Sequence, residues 1–380
     1  MALPVCSFLL FLLLQNTNPL NILEQAALFS LALTLPEAGM ETFWESYRIE
    51  IPPQTVSSDA NPPSSDTSTT WTSSSSVQAS LAVSSSPSSV SSPSSAAAML
   101  TPIPDTISSR SIAPENRGVI LSQTFTAIDS PIYIQYGQGK IKNSTNLTNA
   151  QTEEILDIPF SMTVEDLSEP LVLIYHTHAT EAYEPLDAEV YDKTYNWRST
   201  DNENNMVAVG AVVAQRLEES GIGVVHLTQQ HDYPSYNGAY DNSAETVRQA
   251  LEQYPSIQVI LDIHRDAIQQ DADTIIKAVT EIDGKKAAQL MLVAPCDDDG
   301  SLGVPGWQSN LRFSAALQDT LETMYPGLCR PVFFCYRKYN MDLCPNGALI
   351  EVGSHGNTLE EAKYTAELLA NALTVLLKGQ

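Results

Sequence analysis

The stretch Leu171–Pro185, LVLIYHTHATEAYEP, decides the fold. Its first five residues are apolar or aromatic, the length and composition of a strand buried on both faces. The run stops at His176, Thr177 and His178, and Glu181 follows three residues later. The chain holds six histidines in all. A single histidine at a strand end is more often a hydrogen-bonded structural residue than a ligand. The pattern therefore carries weight only if it recurs elsewhere in the chain.

Downstream, short apolar runs alternate with amphipathic ones. NNMVAVGAVVAQRLEESG places Met206, Val209, Val213 and Leu217 at helical spacing and stops at Gly221. IGVVHL reads as a strand, SAETVRQALEQYP as a helix with Ser243 as its cap, and IQVILDIH as a second buried strand. DTIIKAVTEIDGKKAAQLMLVAP reads as two strands joined by a hairpin at Asp283-Gly284. GWQSNLRFSAALQDTLETMYPG is an amphipathic helix, and PVFFCYR and GALIEVG are strands. The closing helix, TLEEAKYTAELLANALTVLLK, opens with Thr358 and Glu361 in capping-box spacing. Alternating strands and helices predict an α/β fold with a mostly parallel sheet and helices on both faces.

In such sheets the chemistry gathers at the carboxyl ends of strands. His176, His178 and Glu181 follow one strand; His264, Arg265 and Asp266 end another; Glu351 lies within a third. Two imidazoles and a carboxylate suit a catalytic zinc ion, which takes three protein ligands and keeps one position open. His178, Glu181 and His264 are the candidate ligands, with His176 as the rival of His178. Glu351 is the candidate general base. It stands between Ile350 and Val352, where an uncompensated carboxylate is costly to bury. The structural alternative is a salt bridge to Arg265 or Arg312. HDYPSYNGAYDNS carries His231, Asp232, Tyr236 and Tyr240 to the same rim, as groove lining or as an ordered loop. RKYNMDLCPNG is loop-like and placed to cover the site, and His355 and Asn357 lie just past Glu351. Arg265, Asp266, Tyr236 and Asn357 are the candidate substrate-binding residues.

The rest of the chain bounds the setting. A net charge of -26 over 380 residues repels phosphate, so a nucleic-acid role is excluded. Five cysteines include no CxxC pair; those from Cys296 to Cys344 read as core residues or as a disulfide in an oxidising compartment. Residues 1–36 form a hydrophobic signal- or anchor-like segment, although no Lys or Arg precedes Arg48. Residues 37–114, rich in Ser, Thr and Pro, cannot bury enough surface to offset chain entropy and read as a disordered tether. Residues 115–160 read as a small β-rich element, with strands in VILSQTF and SPIYIQY, and 161–380 as the catalytic domain.

LIYHTHATEAYEP, RSTDNENNMVAVG, HDYPSYNGAYDNS, LDIHRDA, NLRFSAAL and LIEVGSHGNTLEEA together resemble the stage II sporulation protein P family of endospore-forming bacteria, in order from Leu171 to Leu377. The chain is also similar to the wider zinc-dependent N-acetylmuramoyl-L-alanine amidases, whose two histidines and late glutamate match His178, His264 and Glu351. There the carboxylate ligand opens the first helix, which would be Asp201 or Glu203. The sporulation motif carries Glu181 instead, and both placements stay open. The resemblance implies a Zn²⁺ enzyme that cleaves the amide between N-acetylmuramic acid and L-alanine in peptidoglycan, and leaves open whether it also cuts cross-links as an endopeptidase. It implies a place outside the cytoplasm, tethered to a membrane or secreted, during spore engulfment, with stage II sporulation proteins D and M as partners. The alternative is a non-catalytic wall-binding or scaffolding module. A zinc peptidase acting on proteins would use the same residues.

Overall fold

A computed structural model describes residues 112–127 and 130–379. The segment 1–36 and nearly all of the linker 37–114 lie outside the described residues. In chain order the first elements are β1 (Arg117–Gln123), β2 (Tyr133–Tyr136), β3 (Gly139–Ser144), α1 (Asn149–Leu156), β4 (Pro170–Tyr175) and β5 (Val190–Asp192). Then come α2 (Met206–Glu219), β6 (Gly223–His226), α3 (Ala239–Gln253), β7 (Val259–Asp266), β8 (Gln269–Asp271) and β9 (Thr274–Ile282). The last are β10 (Lys285–Ala288), β11 (Leu290–Pro295), α4 (Trp307–Met324), β12 (Val332–Cys335), β13 (Gly347–Ser354) and α5 (Leu359–Lys378).

Eight strands make the main sheet, in the order β2-β3-β12-β11-β13-β7-β4-β6. A second sheet has the order β10-β9-β1-β5, with β8 paired to β9. The α/β expectation holds, but the sheets are mixed rather than mostly parallel. Six strand pairings are parallel and five antiparallel. Connection length accounts for part of this, since parallel neighbours need a long crossover and short turns force reversal; the antiparallel β11–β13 and β1–β5 pairs are joined by long connections and follow from where those strands enter their sheets. β6, β4, β7 and β13 are parallel, because helices or long loops separate them. β2–β3 and β9–β10 reverse over two residues. In the β9–β10 hairpin, Asp283 (φ 50) and Gly284 (φ 74) are both left-handed, as a type I′ turn requires. The strand expected after this turn breaks at Gln289. β10 stays in the second sheet, while β11 enters the main one antiparallel to β13.

Side-chain alternation divides the core. Val172 and Ile174 on β4, Leu261 and Ile263 on β7, and Ile350 and Val352 on β13 belong to the large cluster packed with α2, α4 and α5. Leu173 and Tyr175 on β4 and Ile260 on β7 form a smaller cluster with Val247 and Ala250 of α3. Helices thus cover both faces of the main sheet. α3 begins at Ala239 behind Gly238, so Ser243 is an interior residue of the helix and not its cap. The capping box at Thr358 and Glu361 forms as expected. Glu361 also accepts from Lys277 Nζ at 3.2 Å, while Asp187 takes the same ammonium at 2.8 Å. This buried lysine thereby fastens the second sheet to the start of α5.

The stretch 115–160 gives β1 to the second sheet and β2 and β3 to the edge of the main one. β3 and α1 were not foreseen, although Thr148 and Gln151 form a capping box. Cys296, Cys329 and Cys344 are buried free thiols, as the core reading expects.

Gly210, inside α2, sits against the rings of two histidines. A Cβ there would come within 2.5 Å of His176 Nε2 and 2.8 Å of His226 Nε2. Helix propensity alone would favour replacing this glycine by up to about 1 kcal/mol. Overpacking a full core costs about 1–3 kcal/mol and wins here. Gly210→Val is expected to lower the thermal midpoint by several degrees; an unchanged or raised midpoint in calorimetry would refute the contact.

Candidate active site

The parity of β4, β7 and β13 selects which residues meet. Asp262 and His264 alternate with Leu261 and Ile263, so they point to the α3 side. Glu351 alternates with Ile350 and Val352 in the same way, and its Cα is the register partner of His264. Parallel neighbours lie about 4.8 Å apart, and paired residues point to one face. His264 and Glu351 therefore stand side by side on the face that α3 covers.

His178 joins them from the loop after β4. Its ring meets that of His264 edge to face, with centroids 5.3 Å apart. Tyr236 stacks on His178 at 4.5 Å and 9°, and Tyr240 meets it edge-on at 5.5 Å. Glu181 lies 3.7 Å from His264 Nδ1, 3.7 Å from Arg265 Nη1 and 3.8 Å from Arg198 Nη2. Its backbone helps fix the turn, accepting from Met206 N at the start of α2. Glu181, His178 and His264 are all buried.

His176 lies on the other face. Its Nδ1 is 2.9 Å from the Ile263 carbonyl and its Nε2 is 2.9 Å from His226 Nε2. The carbonyl can only accept, so Nδ1 donates to it and Nε2 accepts from His226. Both nitrogens are thus committed among core residues, and the geometry favours His178 over its rival. Asp201 and Glu203 are exposed. Asp201 accepts from Glu203 N and Asn204 Nδ2 in a turn ahead of α2. Of the three carboxylates weighed, Glu181 is the one beside the histidines.

Other candidates find structural work. Asp266 pairs with Arg330 at 2.8 Å. Asn357 accepts from Ser354 N and donates to Glu361. Arg265 donates to the Ala182 and Trp197 carbonyls, and Arg312 to that of Ile155. Arg265 therefore braces the Glu181 loop. His355 is buried, with its ring edge-on to Trp197 at 4.8 Å. Tyr236, by contrast, is part of the site wall.

Sequence reasoning missed two groups. Asp262 accepts from Thr177 N at 2.8 Å and from Thr177 Oγ1 at 2.6 Å. It also lies 2.8 Å from His264 Nε2, close enough for strong attraction but off the line of a good hydrogen bond. The signal was present in VILDIH, a carboxylate inside an apolar run, as at Glu351. Arg198 is the other. It donates to Asp232 Oδ2 at 2.7 Å and lies 5.0 Å over the Tyr236 ring. Nothing in its local sequence marks it, because Asp232 is 34 residues away.

Electrostatics separates the two imidazoles. Burial pulls His178 down to about 3, so it is neutral. Burial would also lower His264, but Asp262 and then Glu181 hold it well above the ordinary value. Burial likewise opposes the ionised form of Glu181, yet Arg265 and the histidines keep it well below the usual carboxylate range. The buried nitrogens His178 Nδ1 and His264 Nε2 make no hydrogen bond. Two such imidazoles beside a carboxylate fit a divalent cation by donor type. Among the described residues, however, no three His, Cys, Asp or Glu side chains stand close enough to hold one as they are placed.

One carboxylate behind the site titrates near neutrality. Burial raises Glu184 to about 7, while Trp197 Nε1 donates to its Oε2 at 2.9 Å. A raised carboxyl pKa favours folding below the unfolded value, and that contribution is lost as pH rises through the folded one. Glu184 should therefore cost stability progressively between about pH 4.5 and 7, by up to about 3 kcal/mol. Glu184→Gln keeps an acceptor for Trp197. It is expected to be the more stable protein at pH 8 and to match the parent at pH 4. Parallel melting curves across this range would contradict the shift.

Among curated proteins, the chain is 30% identical over 244 residues to stage II sporulation protein P of Bacillus subtilis (strain 168), covering 61% of this chain and 56% of that protein. The chain thus spans just over half the length of that relative. Similar solved structures include the CwlD amidase of Clostridioides difficile in complex with the GerS lipoprotein, with a TM-score of 0.35, 14% identity, and 55% of this chain and 97% of that one covered. The N-acetylmuramoyl-L-alanine amidase of Clostridium difficile 630 gives a TM-score of 0.32, 16% identity, and 56% and 99% coverage. Similarity at this level leaves the activity to be argued from the chain itself. The description that matches most of the folded part is "Stage II sporulation protein P (SpoIIP)", over residues 124–374. Those 251 residues contain every group described in the site, and the chain belongs to the stage II sporulation protein P family.

Proposed function

We propose that this chain is a cell-wall hydrolase of sporulation, cleaving the amide that joins N-acetylmuramic acid to L-alanine. The observation that carries the reading is the pairing of Glu351 with His264 across neighbouring strands, on the face that also holds His178. His178, His264 and Glu181 are the residues that would hold Zn²⁺. Bound there, zinc supplies Lewis-acid polarisation of the amide carbonyl. Glu351 takes a proton from the attacking water and delivers it to the departing amine nitrogen. Arg265 and the histidines hold the Glu181 carboxylate ionised, Arg198 braces it at 3.8 Å, and Asp262 orients His264. Tyr236 and Tyr240 wall the site and limit water around it. Action on cross-links, a membrane tether through residues 1–36, a place outside the cytoplasm, and stage II sporulation proteins D and M as partners belong to the same reading.

The test is digestion of purified sacculi by the full chain with zinc. Released stem peptides, and new lactyl ends on the glycan, are the expected products. Zinc binding without release of stems would overturn the reading in favour of a wall-binding module. Cleavage of protein substrates alone would favour a peptidase.

A further inference from the structure

The loop between β12 and β13 carries two adjacent residues in the left-handed region, Tyr339 (φ 42) and Asn340 (φ 58). Asparagine tolerates this conformation; a bulky aromatic residue does not, and such outliers persist only where the surroundings enforce them. The enforcement is visible. Asn340 is buried and donates from Nδ2 to the Tyr240 carbonyl at 3.0 Å and to Ser243 Oγ at 2.9 Å. Ser243 Oγ is 2.8 Å from Thr177 Oγ1, whose own partner is Asp262. A buried hydrogen-bond chain therefore runs from the segment between the two strand-end histidines to the backbone of this loop. At its end the Tyr339 ring lies on Tyr240 at 5.3 Å and 26°, and Tyr240 lies over His264 at 6.5 Å and 10°. Tyr339 remains half-exposed.

We propose that Tyr339 is a substrate-contacting residue whose ring extends the aromatic wall outward from the reacting centre and stacks on a sugar ring of the glycan strand. This rests on the cell-wall reading above and names which half of the substrate the wall takes. The chemistry selects the sugar over the stem peptide. Pyranose rings offer an apolar face with hydroxyls at the rim, matching tyrosine faces with phenol edges. The left-handed backbone, held by the buried Asn340, fixes the Tyr339 ring on Tyr240 with its other face half-exposed.

The experiment compares the parent chain, Tyr339→Ala and Tyr339→Phe, zinc-loaded, on two soluble substrates. One is a disaccharide muropeptide; the other is an N-acylated stem peptide lacking sugar. Melting temperature is measured alongside. Tyr339→Ala is expected to raise KM for the disaccharide substrate about tenfold, with kcat within twofold and no change on the sugar-free substrate. Tyr339→Phe should behave as the parent. A loss of melting temperature with unchanged KM would overturn the proposal and leave Tyr339 a packing residue. An equal loss on both substrates, or a fall confined to kcat, would overturn it too. If the parent cleaves neither substrate, it is the cell-wall reading that fails. Titration of the chitin-type disaccharide GlcNAc2 then still decides the sugar contact, with weakened binding to Tyr339→Ala supporting it and equal binding overturning it.

Discussion

Glu351→Gln is expected to reduce hydrolysis of sacculi by about 10²- to 10⁴-fold, the range that a positioned general base contributes. The substitution keeps the volume and the position beside His264 in the strand register. It removes the capacity to accept a proton from water and pass it to the leaving nitrogen. Fold and metal content should be unchanged, because Glu351 is assigned to proton transfer and not to the metal. Zinc stoichiometry and a thermal melt on the same preparation separate the two roles. Loss of zinc in Glu351→Gln would move this residue into the ligand set and end its assignment as base.

His264→Ala is expected to have the second large effect, and on two measurements at once. In the metal-free protein the His264 ring sits between Asp262 at 2.8 Å and Glu181 at 3.7 Å. Removing one partner of a buried charged set leaves the others uncompensated, at a cost of about 3–5 kcal/mol. Asp262 would keep only its two bonds from Thr177. The same change deletes one of the proposed zinc ligands, so hydrolysis should fall to background at any zinc concentration that leaves the parent saturated. His176→Ala tests the contrast. It disturbs the pair with His226 and should lower stability while leaving zinc stoichiometry intact. If zinc binding follows His176 and not His264, the two faces have been assigned the wrong way round.

Much of this was legible in the chain. Strand and helix positions followed from period and punctuation, because LVLIY, IQVILDIH and GALIEVG leave little choice once burial on both faces is required. The capping box at Thr358 and the hairpin at Asp283-Gly284 could be read for the same reason: each rests on contacts within a few residues. Sheet direction was not legible. It depends on where β11 enters the main sheet, and nothing in LMLVAP distinguishes a parallel from an antiparallel neighbour. His176 and His178 share strand parity, so the period of the run alone cannot separate them; His178 reaches the α3 face because the chain leaves β4 at Tyr175 and turns there. Arg198 and the Asn340 clamp act across tens of residues and carry no local signature. Glu351 and Asp262 carry the same one, a carboxylate amid apolar neighbours, and both lie beside His264.

The most direct test is anomalous diffraction at the zinc edge from crystals of the protein grown with one equivalent of zinc. The account predicts a single strong peak bounded by His178, Glu181 and His264, with Glu351 beside it and outside the coordination sphere. A peak on His176 and His226, or one that leaves His264 on Asp262 with no metal contact, would contradict it.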